Sequence, residues 1–172
     1  MKKNLILLTF LSVVINCFAS KTPNIILILA DDMGPGEPSH MGGLVPTPAL
    51  DRMAKEGMRF TDAHTTSSVC TPTRYGILTG RYNWRSRLKR GVLVKASSQA
   101  LMDPNRVNLP NFLQQNGYHT GMVGKWHLGA DWELLENPPA GPDRKDDSWR
   151  VDYSKPFRNG PVDVGFDEAF FI

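Results

Sequence analysis

The sequence contains little cysteine, no long run of apolar residues and no strong excess of charge of one sign. Only two of its 172 residues are cysteine, Cys17 and Cys70, which excludes the disulfide framework of small secreted domains. Lys and Arg total 20 against 17 Asp and Glu, and a net charge of +3 is too small to indicate a nucleic-acid-binding protein. Apolar residues make up 41% of the chain, which is typical of a globular α/β or α+β domain.

The N-terminal residues have the three parts of a secretory signal. Two lysines give a positive start, residues 5–15 are almost wholly apolar, and small residues follow at Ala19 and Ser20. The apolar stretch is shorter than the roughly 20 residues that a membrane-spanning helix needs. We therefore predict a signal peptide over residues 1–20, export to the periplasm or secretion, and no stable membrane span. A lipid anchor on Cys17 and a buried N-terminal helix are the alternatives.

Strand and helix patterns alternate along the rest of the chain. Short segments rich in β-branched and aromatic residues predict strands over residues 24–30, 58–63, 118–123 and 168–172. Capping residues and closing glycines predict helices over residues 47–57, 71–80 and 108–117. This alternation predicts an α/β fold with a mixed, mostly parallel sheet and helices on both faces.

Two irregular segments complete the chain. Residues 131–163 are rich in Asp, Pro and Gly and predict a long surface loop. Residues 81–90 carry five basic side chains, and we interpret them as a solvated helix face. The functional alternative is that they steer a sulfated anionic substrate.

Two groups of side chains are candidates for chemistry. Asp31 and Asp32 follow the first predicted strand, at the sheet edge where ligands gather, and indicate either a cation site or a solvated turn. Cys70 lies immediately before a helix predicted to begin at Thr71, with Arg74 one turn later. Because helix starts and guanidinium groups both attract anions, this arrangement favours chemistry on an anion over a small buried thiol.

Several blocks of the sequence resemble the type I sulfatases. Residues 70–74 (CTPTR) resemble the family's Cys-x-Pro-x-Arg motif, and residues 124–129 (GKWHLG) resemble its second signature. Residues 24–32, 47–61 and 165–167 are similar to other family blocks, in the same order. Together these blocks identify the chain as a member of the formylglycine-dependent, arylsulfatase A-like branch, within the alkaline phosphatase-like superfamily.

The resemblance implies a sulfuric ester hydrolase. A maturation enzyme would oxidise Cys70 to formylglycine, whose hydrated form has one hydroxyl to attack sulfur and a second to expel sulfate. A calcium ion would be bound by Asp31, Asp32 and the residue made from Cys70, and would polarise the ester. The implied partners are the maturation enzyme and a sulfated small molecule or polysaccharide.

The resemblance also implies roles for three further side chains. Arg74 would hold the formylglycine hydroxyls, Lys125 would contact both that residue and the substrate sulfate, and His127 would contact the hydroxyls. Positive groups aimed at developing negative charge commonly contribute more to catalysis than any other single effect. Taken alone, Lys125 is typical of a solvated lysine and His127 of a loop histidine.

The family's distal Asp-Asn metal pair and its second Lys and His have no counterpart in this sequence. We therefore expect residues 21–172 to be the N-terminal part of a sulfatase catalytic domain, incomplete at the C-terminus and inactive alone. One alternative is a phosphonate monoester or phosphodiester hydrolase of the same superfamily. Another is a secreted binding protein that kept the fold and lost catalysis.

Overall fold

The structure, a computed structural model, describes residues 22–141 and 147–172. The predicted signal peptide, Cys17 included, lies outside the described residues. The chain divides into two compact units, one ending at Arg52 and the other beginning at Met53. Within the described part of the chain, no helix is long and apolar enough to cross a membrane.

Three α-helices form where the sequence predicts them. Their bounds are Pro48–Glu56 (α1), Cys70–Thr79 (α2) and Leu109–Gln115 (α3). Gly80 ends α2 in the left-handed region, with φ of 64°. Asn108 caps α3, because its side chain accepts a hydrogen bond from the Asn111 amide at 3.1 Å. Single 3₁₀ turns span Ser39–Met41, Asn83–Arg85 and Ser148–Arg150.

The predicted start of α2 is wrong by two residues. The sequence predicts Thr71 as the cap, but Val69 occupies the cap position and Cys70 is the first helical residue. The N–H groups in the first turn of a helix have no carbonyl partner within the helix. Proline, which lacks an N–H, is therefore tolerated at the third helical position, where Pro72 lies, as well as at the first. The Thr73 amide makes the first helical bond, to the Val69 carbonyl at 3.2 Å.

A parallel pair of strands confirms the predicted sheet direction. Strand β1, Gly121–Gly124, pairs with β2, Glu168–Phe171, and the register places Val123 opposite Phe170. Alternate residues face opposite sides of the pair. Val123 and Phe170 are exposed on one side, whereas Met122 and Phe171 pack against the core on the other.

Two further predicted strands do not form. Residues 24–30 and 58–63 are irregular, and Ile26 and Ile28 are largely exposed. The apolar pattern of residues 24–30 specifies burial on both faces, but a strand also needs a hydrogen-bonding neighbour. The only described sheet is the β1–β2 pair, and neither segment pairs with it.

The core of the second unit packs beneath α2 and the segment that follows β1. Its buried apolar members are Tyr75, Leu93, Leu101, Met102, Trp126, Leu128 and Val164. Leu128 and Val164 are almost completely enclosed. The buried Asn108 side chain donates to the Val164 carbonyl at 2.7 Å, which attaches the start of α3 to this core.

Of the two segments predicted to be irregular or solvated, residues 131–163 match the prediction in their described part and residues 81–90 do not. Residues 131–163 are mainly irregular in their described part, joined by isolated bridges between Asp131 and Arg158 and between Leu134 and Val151. Residues 81–90 are not a helix face, because only a single 3₁₀ turn forms there. Hydrogen bonds between side chains and the backbone replace the helical pattern in this segment.

Candidate active site

Cys70 occupies the end of α2 at which backbone N–H groups have no partner within the helix. The preceding residue, Val69, is extended, with φ of −132° and ψ of 162°. The backbone therefore changes from extended to helical between Val69 and Cys70. The Cys70 thiol is free and half-buried. Because helix N-termini attract anions, this position suits a residue that reacts with a sulfate or phosphate group.

The segment before α2 is bonded to the helix by two threonine hydroxyls. Thr66 Oγ1 donates to the Pro72 carbonyl at 3.2 Å, and Thr73 Oγ1 donates to the Ser67 carbonyl at 2.8 Å. Gly76 permits this approach, because a Cβ there would lie 2.2 Å from Thr66 Oγ1. These contacts fix the start of the helix, and with it the reactive thiol.

Arg74 connects α2 to the segment that follows β1. It lies one helical turn after Cys70, and its Nη1 donates to the Lys125 carbonyl at 2.7 Å. The chain leaves β1 through Gly124, whose φ of 109° is disfavoured for other residues. Two segments 51 residues apart in sequence therefore meet at the first two turns of α2.

His127 is held by the backbone of Leu93. Its Nε2 lies 2.6 Å from the Leu93 carbonyl oxygen, and because a carbonyl only accepts, Nε2 carries the proton. The Leu93 amide donates in turn to the buried Thr71 hydroxyl at 3.2 Å. The backbone of one residue, Leu93, thus joins the histidine to the second residue of α2. His127 Nδ1 is buried and has no hydrogen-bond partner among the described residues.

The segment that carries Lys125 and His127 alternates between the core and the site. Trp126 and Leu128 are buried, whereas Lys125 and His127 between them are half-buried. Trp126 Nε1 donates to the Gly129 carbonyl at 2.8 Å, which closes the turn. His127 has a φ of 52°, a left-handed conformation that costs free energy in a residue other than glycine.

Asp31 and Asp32 belong to the first unit, and both are exposed. The Asp32 amide donates to Asp31 Oδ1 at 3.4 Å. Carboxylate oxygens are the ligands that calcium and magnesium prefer, so the donor chemistry fits a hard cation. Calcium takes six to eight oxygens. The described residues contain no cluster of three or more His, Cys, Asp or Glu side chains, so this pair forms only part of a calcium shell.

The structure joins four of the six predicted site residues within the second unit. Cys70 and Arg74 share one face of α2, Arg74 bonds to the Lys125 backbone, and His127 reaches α2 through Leu93. The sequence did not indicate the positioning parts of this arrangement, the Thr71 hydroxyl and the Leu93 peptide. A hydroxyl next to the cysteine is typical of a helix cap, and a peptide group carries no sequence signal.

A cavity of about 240 Å³ lies at the other end of α2. Its lining includes Tyr75 and Thr79 from the C-terminal half of the helix and Arg81, which follows the helix. Asp103 and Arg106 also line it. An α-helix rises about 1.5 Å per residue, so Tyr75, the lining residue nearest to Cys70 along the helix, lies about 7.5 Å farther along the axis. It is not part of the candidate active site.

The three other histidines lie beside carboxylates. His40 Nδ1 is 3.1 Å from Asp51, His64 Nε2 is 2.6 Å from Asp62, and His119 Nε2 is 3.3 Å from Glu168. None of the three belongs to a sequence block that predicts a catalytic role.

Comparison with known proteins places these motifs in one family. The family model for sulfatases matches residues 23–157. An N-acetylgalactosamine-6-O-sulfatase of Bacteroides thetaiotaomicron is 38% identical over 154 residues, which are 89% of this chain and 27% of that protein. Arylsulfatase A of Bos taurus is 44% identical over 122 residues, which are 70% of this chain and 24% of that protein. The chain spans about a quarter of the length of the curated relatives it matches.

Solved structures agree with this similarity. A sulfatase structure from work on glycosaminoglycan metabolism by Bacteroides thetaiotaomicron superposes with a TM-score of 0.72 at 38% identity, covering 89% of this chain and 28% of that one. Ps i-CgsB in complex with k-i-k-neocarrahexaose superposes with a TM-score of 0.64 at 27% identity, covering 88% of this chain and 28% of that one.

Proposed function

The chain belongs to the sulfatase family, and on that premise we propose that it supplies the nucleophile region of an enzyme that hydrolyses sulfate esters. The observation that carries the proposal is the 2.7 Å hydrogen bond from Arg74 Nη1 to the Lys125 carbonyl. It brings the two signature motifs together one helical turn from Cys70. We further propose that residues 21–172 form the N-terminal part of the catalytic domain, in keeping with the quarter of each relative that the chain spans.

The nucleophile is formylglycine made from Cys70 by a maturation enzyme. This side chain supplies a nucleophilic oxygen for attack on sulfur and a second hydroxyl through which sulfate is released. The thiol suits such a modification because it is half-buried and free, on a helix start whose neighbours Thr71 and Pro72 are enclosed. The backbone around it is therefore fixed while the reacting atom remains accessible.

Arg74 and Lys125 act on negative charge. The hydrogen bond to the Lys125 carbonyl fixes the position of the Arg74 guanidinium. Arg74 would hold the oxygens at residue 70, and the half-buried Lys125 ammonium would contact both that residue and the substrate sulfate. Fixed positive groups of this kind stabilise the charge that develops on the sulfate oxygens as the ester bond breaks.

His127 handles a proton. Because Nε2 donates to the Leu93 carbonyl, the neutral ring presents a lone pair at Nδ1. That nitrogen is buried without a partner among the described residues, and it would accept a proton from a hydroxyl of residue 70. The Leu93 peptide selects this tautomer, since its carbonyl can bond only to a protonated nitrogen.

Asp31 and Asp32 would hold a calcium ion together with the residue at position 70 and ligands from the rest of the domain. Such an ion polarises a sulfate ester and lowers the cost of charge at the nucleophile. Two carboxylates provide at most four of the six to eight oxygens that calcium takes. We therefore expect residues 21–172 alone to bind calcium weakly and to lack appreciable sulfatase activity.

The names of two relatives support a proposal for the substrate class. One is named an N-acetylgalactosamine-6-O-sulfatase, and another was solved with a neocarrahexaose. We propose a sulfated sugar, free or within a polysaccharide, as the substrate. We also propose that residues 1–20 direct export to the compartment where such polymers occur.

Two measurements test the proposal. The protein is expressed from its complete reading frame with the maturation enzyme, and the peptide that contains Cys70 is analysed by mass spectrometry. Formylglycine lowers the peptide mass relative to the thiol, and a Cys70→Ala variant provides the unmodified control. Turnover of nitrophenyl sulfate is then compared with turnover of a nitrophenyl phosphodiester.

The expected result is conversion at residue 70 and preferential hydrolysis of the sulfate, both absent from Cys70→Ala. An unmodified thiol after co-expression contradicts the formylglycine mechanism. Faster turnover of the phosphodiester favours the phosphonate or phosphodiester hydrolase alternative. A modified residue without turnover of either ester favours a binding protein.

A further inference from the structure

The sequence around α2 is devoid of acidic residues. No Asp or Glu occurs between Asp62 and Asp103, although seven Lys and Arg lie in that interval. Five of the seven fall within residues 81–90, which directly follow α2. Positive charge without local compensation attracts anions over the range of a Debye length, about 8 Å at physiological ionic strength.

Two of these five basic side chains stabilise the segment itself. The Arg87 guanidinium donates to the carbonyls of Gln99 and Ala100, and Lys89 Nζ donates to the Trp84 carbonyl at 2.9 Å. All three acceptors are uncharged backbone groups. The bonds therefore fix the shape of the segment and leave its positive charge uncompensated.

Asn83 anchors the same segment on its buried side. It is buried, and its Nδ2 donates to the Leu88 carbonyl at 2.9 Å. Ser86 Oγ donates to the Asn83 carbonyl at 2.6 Å, which closes the 3₁₀ turn Asn83–Arg85. The residues on either side of Asn83 point outward from a turn that side-chain hydrogen bonds hold in place.

Those two neighbours are aromatic and stacked on each other. The rings of Tyr82 and Trp84 lie 4.0 Å apart between centroids, with an interplanar angle of 10°. Tyr82 is 48% exposed and Trp84 is 52% exposed, so the pair is open to solvent. A stacked aromatic pair that is open to solvent offers a flat apolar face on which a ligand can pack.

Arg85 and Arg90 complete the surface. Both are exposed, and neither side chain has a hydrogen bond or an ion pair with any residue in the described ranges. Arg85 directly follows Trp84 in the turn. The segment thus presents a flat apolar pair and guanidinium groups that are available to an anion.

We propose that Tyr82, Trp84, Arg85 and Arg90 form a binding surface for a sulfated polysaccharide chain, which we call the aromatic-basic surface. The C–H face of a pyranose ring packs on an aromatic ring, and a guanidinium binds sulfate through paired N–H donors. Free sulfate would use the arginines alone, and an uncharged glycan would use the rings alone. The inference rests on the proposed function and specifies its substrate as polymeric.

Binding is tested without turnover in the Cys70→Ala protein, expressed from the complete reading frame. Affinity is measured by titration with dextran sulfate, unsulfated dextran and a single-stranded oligothymidylate of matched charge. We expect dextran sulfate to bind best. Trp84→Ala should weaken that binding about tenfold, and Arg85→Gln with Arg90→Gln should do the same and reduce its salt dependence.

Matched controls come from exposed residues elsewhere in the same unit. Tyr153→Ala removes an aromatic side chain that is 64% exposed, and Arg158→Gln removes an arginine whose side chain is 75% exposed. Neither change should alter dextran sulfate affinity. Trp84→Phe, which keeps an aromatic face, should retain most of the binding, and thermal melts verify that each variant is folded.

Three outcomes overturn the proposal: full dextran sulfate affinity in Trp84→Ala, equal affinity for unsulfated dextran, or tighter binding of the oligothymidylate. The last outcome would identify a nucleic-acid surface. Failure of the proposed function is distinguishable, because it abolishes nitrophenyl sulfate turnover in the protein with Cys70 and leaves polymer binding unchanged. With Cys70 present, Trp84→Ala should preserve turnover of nitrophenyl sulfate while raising KM for a sulfated polysaccharide.

Discussion

Thr120 and Asp167 bond to each other through both backbone and side chain. The Thr120 amide and hydroxyl donate to Asp167 Oδ2 at 2.7 and 2.9 Å, and the Asp167 amide donates back to the Thr120 carbonyl at 2.9 Å. Each residue immediately precedes its strand, so the pair sets the register of β1 against β2. Gln114 Nε2 donates to the other oxygen, Oδ1, at 2.8 Å and attaches α3 to the same point.

The Asp167 carboxylate should make stability depend on pH. The hydrogen bond from the Thr120 amide, followed by that from its hydroxyl, lowers the pKa of Asp167 below its ordinary value. A lowered folded-state pKa contributes stability that is present above the unfolded-state pKa of about 3.9 and is lost as the pH falls through the folded-state value. In Asp167→Asn we expect lower stability at pH 7 and a smaller decline on acidification, measured by urea unfolding from pH 7 to pH 3.

Asp163→Asn is the control, because that carboxylate accepts a hydrogen bond from one backbone donor, the Gly160 amide at 3.0 Å. Like Asp167→Asn, this substitution removes one negative charge from the segment that precedes β2. An acid decline as large in Asp167→Asn as in the unchanged protein would contradict the assignment.

Gly76→Ala should destabilise the packing of α2 against the segment that precedes it. Alanine normally stabilises a helix interior relative to glycine by about 1 kcal/mol. Here the added Cβ would lie 2.2 Å from Thr66 Oγ1, and overpacking of this kind costs about 1–3 kcal/mol. Thermal and denaturant unfolding measure the change. Adding Thr66→Ala should recover much of the loss, and additive effects of the two substitutions would show that the contact is unimportant.

Thr71→Val should disturb His127 at a distance. The substitution leaves the Leu93 amide without its acceptor in a buried setting, at a cost of about 1–3 kcal/mol. We expect faster hydrogen exchange at Leu93 and a shift of the His127 ring ¹⁵N resonances, both measured by NMR. Thr71→Ser keeps the hydroxyl and should restore both signals, whereas unchanged His127 resonances in Thr71→Val would exclude the connection through Leu93.

If the proposed function holds, Arg74→Lys should lower sulfatase turnover while keeping the positive charge. The lysine ammonium lacks the planar donor fork that bonds to the Lys125 carbonyl. Loss of one fixed donor at a developing charge typically costs about 10²–10³ in kcat. Turnover of nitrophenyl sulfate measures the loss, with Arg158→Lys as the surface control. Near-normal kcat in Arg74→Lys would show that charge alone suffices.

The three helices were predictable because their signals are local. Pro48 begins α1, Gly80 ends α2, and the Asn108 side chain caps α3 within three residues of its partner. The parallel direction of β1 and β2 was also predicted, from the strand–helix alternation of the chain as a whole, although the described part of their own connection is mainly irregular.

What the sequence did not indicate depends on distant contacts. Residues 24–30 have a strong strand pattern, but a pattern cannot supply the neighbouring strand. The bond from Arg74 to the Lys125 carbonyl spans 51 residues and uses a backbone atom that every residue type offers. The positive φ of His127, which lies between the buried Trp126 and Leu128, is likewise unlike its local preference.

The alternation of Lys125 and His127 with buried neighbours has a consequence for motion. The Leu128 carbonyl accepts the Leu101 amide at 2.8 Å, so the segment is bonded to the core as well as packed in it. The backbone that carries the two motif side chains cannot move away unless the core opens, and core opening requires close to the full free energy of unfolding. An anion that reaches the segment therefore meets a backbone whose course is set before the anion arrives.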